Sequence, residues 1–191
     1  MKFLRAIVSI FAFTAFSAAF AQQPVAPPPQ PTADGPSLEV TMKFIQARLQ
    51  EYSKINFAAY THDNADGNDY VDQVGIEYSN IVADPVTCQV SYHRTWVDNG
   101  KLQALDSIIN LREVLDLKII TADMVFAQLQ AEDGHPARNS RVEPPVFVLL
   151  VDKVGNQKNR IWFSDEEMAD RIAKALTHAV ELCGGGNKEP F

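Results

Sequence analysis

The chain has 191 residues, with 17 Lys and Arg against 24 Asp and Glu, a formal charge of −7 and an apolar share of 46%. That balance excludes a general affinity for nucleic acid or anionic lipid, because both depend on cations that neutralise phosphate. Two cysteines and four histidines (62, 93, 135 and 178), none at His-x-x-x-His spacing, offer no zinc-ligand pattern.

The first 21 residues read as a cleaved secretory signal. Lys2 and Arg5 precede an apolar run from Ile7 to Phe16, and Ala19-Phe20-Ala21 supplies the small-x-small pattern of a cleavage site. The run is shorter than the roughly 20 residues a membrane helix needs. A mature chain beginning at Gln22 carries −9, since two of the cations leave with the signal. No later apolar run is long enough for a transmembrane segment. The expected location is exported, either periplasmic or extracellular. Residues 22–36 hold prolines at 24, 27, 28, 29, 31 and 36 and almost no packing surface, as expected of an extended, disordered spacer.

Residues 37–184 are expected to form one α+β domain. Ser37 is placed to cap a helix whose stripe is Leu38, Met42, Ile45 and Leu49. From Lys54 the period changes to two. Ile55, Phe57 and Ala59 mark one strand, and Val74, Ile76 and Tyr78 a second. Val86, Cys88, Val90, Tyr92 and Trp96 mark a third. Further strands are expected near 102–111 and 115–121. Pro145–Lys153 and Asn159–Phe163 read as a hairpin turning at Gly155-Asn156. Residues 133–144 read as a long polar loop. Ser164 and Glu167 form a capping box ahead of a helix over 165–183, with Met168, Ile172, Leu176, Ala179 and Cys183 on its apolar stripe. Gly184 stops it, and residues 185–191 read as a Gly-rich tail.

Cys88 and Cys183 lie on faces that should meet, so an exported chain is expected to join them as a disulfide. The outline is a helix, a run of antiparallel strands forming a curved sheet or partly open barrel, and a closing C-terminal helix. It resembles the pleckstrin-homology-like fold. The stretch from Phe163-Ser-Asp-Glu-Glu-Met to Glu-Leu-Cys-Gly-Gly, with Thr41-Met-Lys-Phe-Ile-Gln near the start, resembles a group of uncharacterised bacterial exported proteins. This likeness spans most of 38–191, is strong only at the two ends, and implies no activity.

Three features are candidates for chemistry. The turn from His62 to Asp72 is rich in oxygen ligands, and Asp63, Asp66 and Asp69 are its metal candidates. Aligned on Gly67, however, an EF-hand would need an acid where His62 stands and a glutamate where Gln73 stands, so the pattern fails. Asp, Asn and Gly also make ordinary turns. Its aspartates likewise disfavour a phosphate headgroup. In Tyr92-His93-Arg94-Thr95-Trp96, alternation puts Tyr92, Arg94 and Trp96 on one face and His93 on the other, so the five do not converge. The four histidines share no ligand pattern, and His178 falls on the wet face of its helix.

No Gly-x-Ser-x-Gly, no phosphate loop after a strand and no cofactor motif is present, which leans the reading away from an enzyme. The expected function is therefore a non-catalytic interaction module that binds an unknown protein, peptide or small ligand through a sheet–helix groove. The alternative is a metal-dependent or other hydrolase built on loop 63–72. Limited proteolysis of the exported protein should trim the spacer first and leave a core starting near Ser37; a spacer as resistant as the core contradicts this reading.

Overall fold

Three helices and two antiparallel sheets build the domain (Leu38–Glu51 α1, Lys54–Asp63 β1, Asn68–Asp84 β2, Gln89–Asp98 β3, Lys101–Asn110 β4, Val114–Thr121 β5, Ala122–Glu132 α2, Asn139–Glu143 β6, Phe147–Lys153 β7, Gln157–Phe163 β8, Glu166–Leu182 α3). A computed structural model describes residues 35–63, 67–98, 100–132 and 139–186, and these belong to one unit, Gly35–Phe191. The expected signal, nearly all of the spacer and residues 187–191, including Phe191, lie outside the described residues.

α1 starts as its sequence dictates. The Ser37 hydroxyl accepts the Val40 amide at 3.4 Å, and Met42, Ile45 and Leu49 are buried on one face. That face packs on α3 and β2. β1 to β4 then run as a meander in a five-stranded sheet of order β4-β3-β2-β1-β6. β2 is long enough to need a bulge between Ser79 and Val82, where Asn80 takes a left-handed φ of 51°. The β2–β3 connection is a turn rather than the start of the third strand. Asp84 accepts the Val86 amide and the Thr87 hydroxyl, both at 2.8 Å. Val86 is consequently 84% exposed instead of lying on the inward face. Cys88 is buried there with a left-handed φ of 57°.

The second sheet has the order β5-β7-β8. The architecture is thus α+β and antiparallel, as expected, but the strands form two sheets and are not closed into a barrel. α3 packs on β5, β7 and β8, so the helix expected to close one curved sheet covers the smaller of two. Gly155 and Asn156, with φ of 79° and 59°, turn the β7–β8 hairpin as read from the sequence. The N-cap of α3 is Asp165, whose carboxylate accepts the Met168 amide at 2.6 Å; Ser164 lies one residue too early.

Two elements were not expected. α2 carries Ala122, Val125, Phe126 and Leu129 on one face, the first two fully buried. Residues 139–143, expected within a loop, pair with Ala58–His62 as an edge strand. The core fills the space between the sheets and helices. In it Trp162 stacks on Phe57 at 5.9 Å, and Phe126 meets Phe57 edge-on at 6.3 Å.

The chain after α3 stays bound to the domain. Gly184 takes a φ of 78°, the Gly185 amide donates to Val180 O at 2.9 Å, and the Gly186 amide donates to Val114 O at 3.0 Å. A Cβ on Gly185 would lie 2.2 Å from the Leu111 carbonyl oxygen, so only glycine fits there.

Cys88 and Cys183 are joined, with Cα atoms 6.0 Å apart and a sequence separation of 95. The bridge ties the β2–β3 turn of the larger sheet to the end of α3. Alkylation without reductant should find no free thiol. Replacing both cysteines by serine should lower the unfolding free energy by roughly 4–5 kcal/mol, as loop closure of this length implies. Two alkylated cysteines in the native protein would contradict the assignment.

Candidate functional site

The acidic turn after β1 is the first candidate. Asp66 lies outside the described residues, as does the Asp63 side chain. Asp69 stands opposite His62 in the β1–β2 ladder, and its carboxylate is 2.7 Å from His62 Nδ1. Of the three sequence candidates, the one described carboxylate is thus engaged by a cross-strand histidine. Among the described residues, no three His, Cys, Asp or Glu side chains group as a metal site.

The second candidate lies where the sheets meet. Alternation along β3 holds as read: Tyr92 is buried, and the Arg94 guanidinium sits 4.6 Å from the Trp96 ring on the same side. His93 points away and pairs with Asp106 across the β3–β4 ladder at 2.7 Å. The inner face of the larger sheet meets the edge of the smaller one. Tyr78 Oη accepts the Trp162 amide at 2.9 Å, and Arg94 Nη1 donates to Arg160 O at 3.4 Å. Tyr92 hydrogen-bonds the Ser107 and Asn159 side chains. The two phenols meet edge-on at 5.4 Å.

Burial pushes the Tyr78 hydroxyl well above the usual tyrosine range, and burial also pushes Tyr92 up. Both phenols are therefore neutral at ordinary pH. Arg94 Nε and Arg160 Nε are buried without a hydrogen-bond partner among the described residues. The cluster joins the two sheets through these hydrogen bonds, which is a structural role. Sequence reasoning assigned the correct faces but had no means of finding Tyr78, whose partner is a backbone amide 84 residues away.

The third candidate is a groove of about 470 Å³ between β5 and the C-terminal half of α3. Val114, Leu117 and Val180 give it an apolar floor; Asp116, Glu181 and Thr177 form its rim. Thr177 donates its hydroxyl to Ala173 O at 2.9 Å and the Asp116 carboxylate accepts the Leu117 amide at 2.9 Å, while the Glu181 side chain is 70% exposed. A second hollow, about 490 Å³, lies between α1 and the β2 bulge. Its polar groups serve the fold: Gln50 reaches Ile81 O at 3.4 Å, and the Tyr78 amide donates to Ser53 O at 2.8 Å. The β5–α3 groove differs in combining apolar side chains with two carboxylates in its lining. His178 stands near it, its Nε2 2.9 Å from Pro36 O and its Nδ1 4.0 Å from Glu181. It therefore anchors the entry to the domain instead of being only solvated.

The raised phenol pKa values carry a sign. A group whose folded pKa exceeds its unfolded value of about 10 contributes stability fully below pH 10, and that contribution is lost as pH rises toward the folded pKa. Urea unfolding should therefore show stability falling above about pH 10, by up to about 1.4 kcal/mol per pH unit for each buried tyrosine. Tyr78→Phe should flatten that slope by one tyrosine. An unchanged slope would contradict the burial of Tyr78.

Comparison with protein-family models, with curated proteins and with solved structures finds no match to this chain.

Proposed function

We propose that the protein is an exported, non-catalytic interaction module whose β5–α3 groove takes an apolar group carrying a positive charge, such as a Lys- or Arg-bearing peptide. The observation that carries this reading is the groove's composition: an apolar floor of Val114, Leu117 and Val180 beneath the carboxylates of Asp116 and Glu181. An apolar floor rewards buried carbon, and two carboxylates in one lining favour a cation by charge.

Export is supported by the leader-like first 21 residues and by the Cys88–Cys183 bridge, which suits an oxidising compartment. The β1–β4 meander and the capped terminal helix support kinship with the pleckstrin-homology-like fold, and the separation into two sheets argues for a divergent version of it. The metal-dependent alternative gains nothing from Asp69, whose carboxylate already pairs with His62.

Amide NMR can test the groove with three short peptides identical except for Lys, Glu or Ser beside a leucine. The Lys peptide should shift the amides of 114–117 and 177–181, and Asp116→Asn with Glu181→Gln should weaken its binding about three- to tenfold, as expected for exposed charge pairs. Equal binding of the Glu peptide, or shifts confined to other regions, would contradict the proposal.

A further inference from the structure

The two sheets have four edge strands, and three are closed by devices of the fold. The β8 edge is met by Tyr78 and Arg94. The β5 edge has a register break between Val114 and Asp116; Gly186 occupies the Val114 carbonyl, and the Asp116 carboxylate takes the Leu117 amide at 2.9 Å. β6 is five residues long, carries an Arg141–Glu143 ion pair at 3.2 Å, packs beside α2 and runs into Pro144 and Pro145.

β4 carries one side-chain contact of this kind, Lys153 Nζ to Ile108 O at 3.4 Å near its far end, and is otherwise open over residues 101–107. It runs ten residues, Lys101–Asn110, in unbroken register with β3 and contains neither proline nor glycine. Its exposed side chains include Leu102 at 73%, Leu105 at 46% and Ile108 at 57%. A long, regular, apolar edge is a template for another strand.

We propose that this strand is an interface, and that a second copy of this chain pairs antiparallel along β4 with the two-fold axis through Leu105. The register follows from side-chain matching. Antiparallel pairing about a two-fold axis normal to the sheet sets residues of the same face opposite each other. An axis at Leu105 places Leu102 opposite Ile108 of the second copy, Leu105 opposite its own equivalent, and Ala104 opposite Asp106. All three exposed apolar residues of β4 are then covered, and no like charges face. An axis at Asp106 would set two carboxylates against each other, which is destabilising. An axis at Ala104 would set Leu102 against Asp106 and leave Ile108 uncovered. At the far end the Lys153 ammonium lies 3.4 Å from the Ile108 carbonyl, whose second lone pair is left for a partner amide.

Sedimentation equilibrium of the purified protein over a concentration series should show the mass rising from one chain to two. Leu105→Lys brings two cations together on the axis and should weaken the dimer roughly tenfold or more. Val86→Lys, at an exposed turn beside the end of β4 but roughly 20 Å along the strand from the proposed axis, should leave it unchanged. Because a lysine could also perturb folding, Leu105→Cys gives an independent reading: after mild oxidation it should run as a covalent dimer on a non-reducing gel, while Val86→Cys should not. A wild-type protein that stays monomeric throughout, a dimer equally affected by both lysine variants, or the absence of a Leu105→Cys cross-link would each overturn the proposal.

Discussion

The structure depends on how the edge of β8 is satisfied. β8 ends a three-stranded sheet and turns its outer amides and carbonyls toward the interior, where no further strand completes the ladder. An unpaired backbone group in that position costs about as much as a lost hydrogen bond. The Tyr78 hydroxyl takes the Trp162 amide, and the Arg94 guanidinium takes the Arg160 carbonyl. Both side chains come from the inner face of the larger sheet, so the sheets are joined edge to face by side chains instead of by shared strands. The aromatic contacts of Phe57, Trp162 and Phe126 then fill the space this junction creates.

That arrangement explains what was legible in the sequence. Both terminal helices were readable because their signals are local: a capping residue, an apolar stripe, and a glycine stop at 184. The side-chain alternation along β3 was readable for the same reason. Period two tells which face a residue takes but not which strand lies beside it, so one curved sheet and two sheets predict the same pattern. β6 was missed because its five residues adjoin a polar stretch and Pro144, with too little apolar alternation to stand out. α2 was missable for a different reason. Its stripe of Ala122, Val125, Phe126 and Leu129 follows directly on β5, and the residue in the capping position, Thr121, is also the last of the strand, so the change of period went unmarked.

Of the site candidates, sequence reasoning recovered the sides of the Tyr92–Trp96 strand and the cysteine pair, but not the surroundings of either. Cys88 reaches Cys183 from a turn at left-handed φ and not from the strand itself. The groove could be anticipated only as a kind of place, between a sheet and a helix. Its lining comes from β5, α3 and the glycines after α3, three segments whose meeting depends on long-range packing. Gly185 shows how narrow that meeting is, since a single added methyl would strike the Leu111 carbonyl. The groove and the open β4 edge lie on different sheets, so ligand capture and self-association need not compete for the same residues.

The claim that side chains of one sheet complete the edge of the other is tested most directly by hydrogen exchange at the Trp162 amide. In the native protein this amide should exchange as slowly as its ladder-bonded neighbours in β7 and β8. In Tyr78→Phe, loss of one buried acceptor should speed its exchange roughly tenfold while the β7–β8 ladder amides keep their protection. Equal protection of Trp162 in the two proteins would contradict the account.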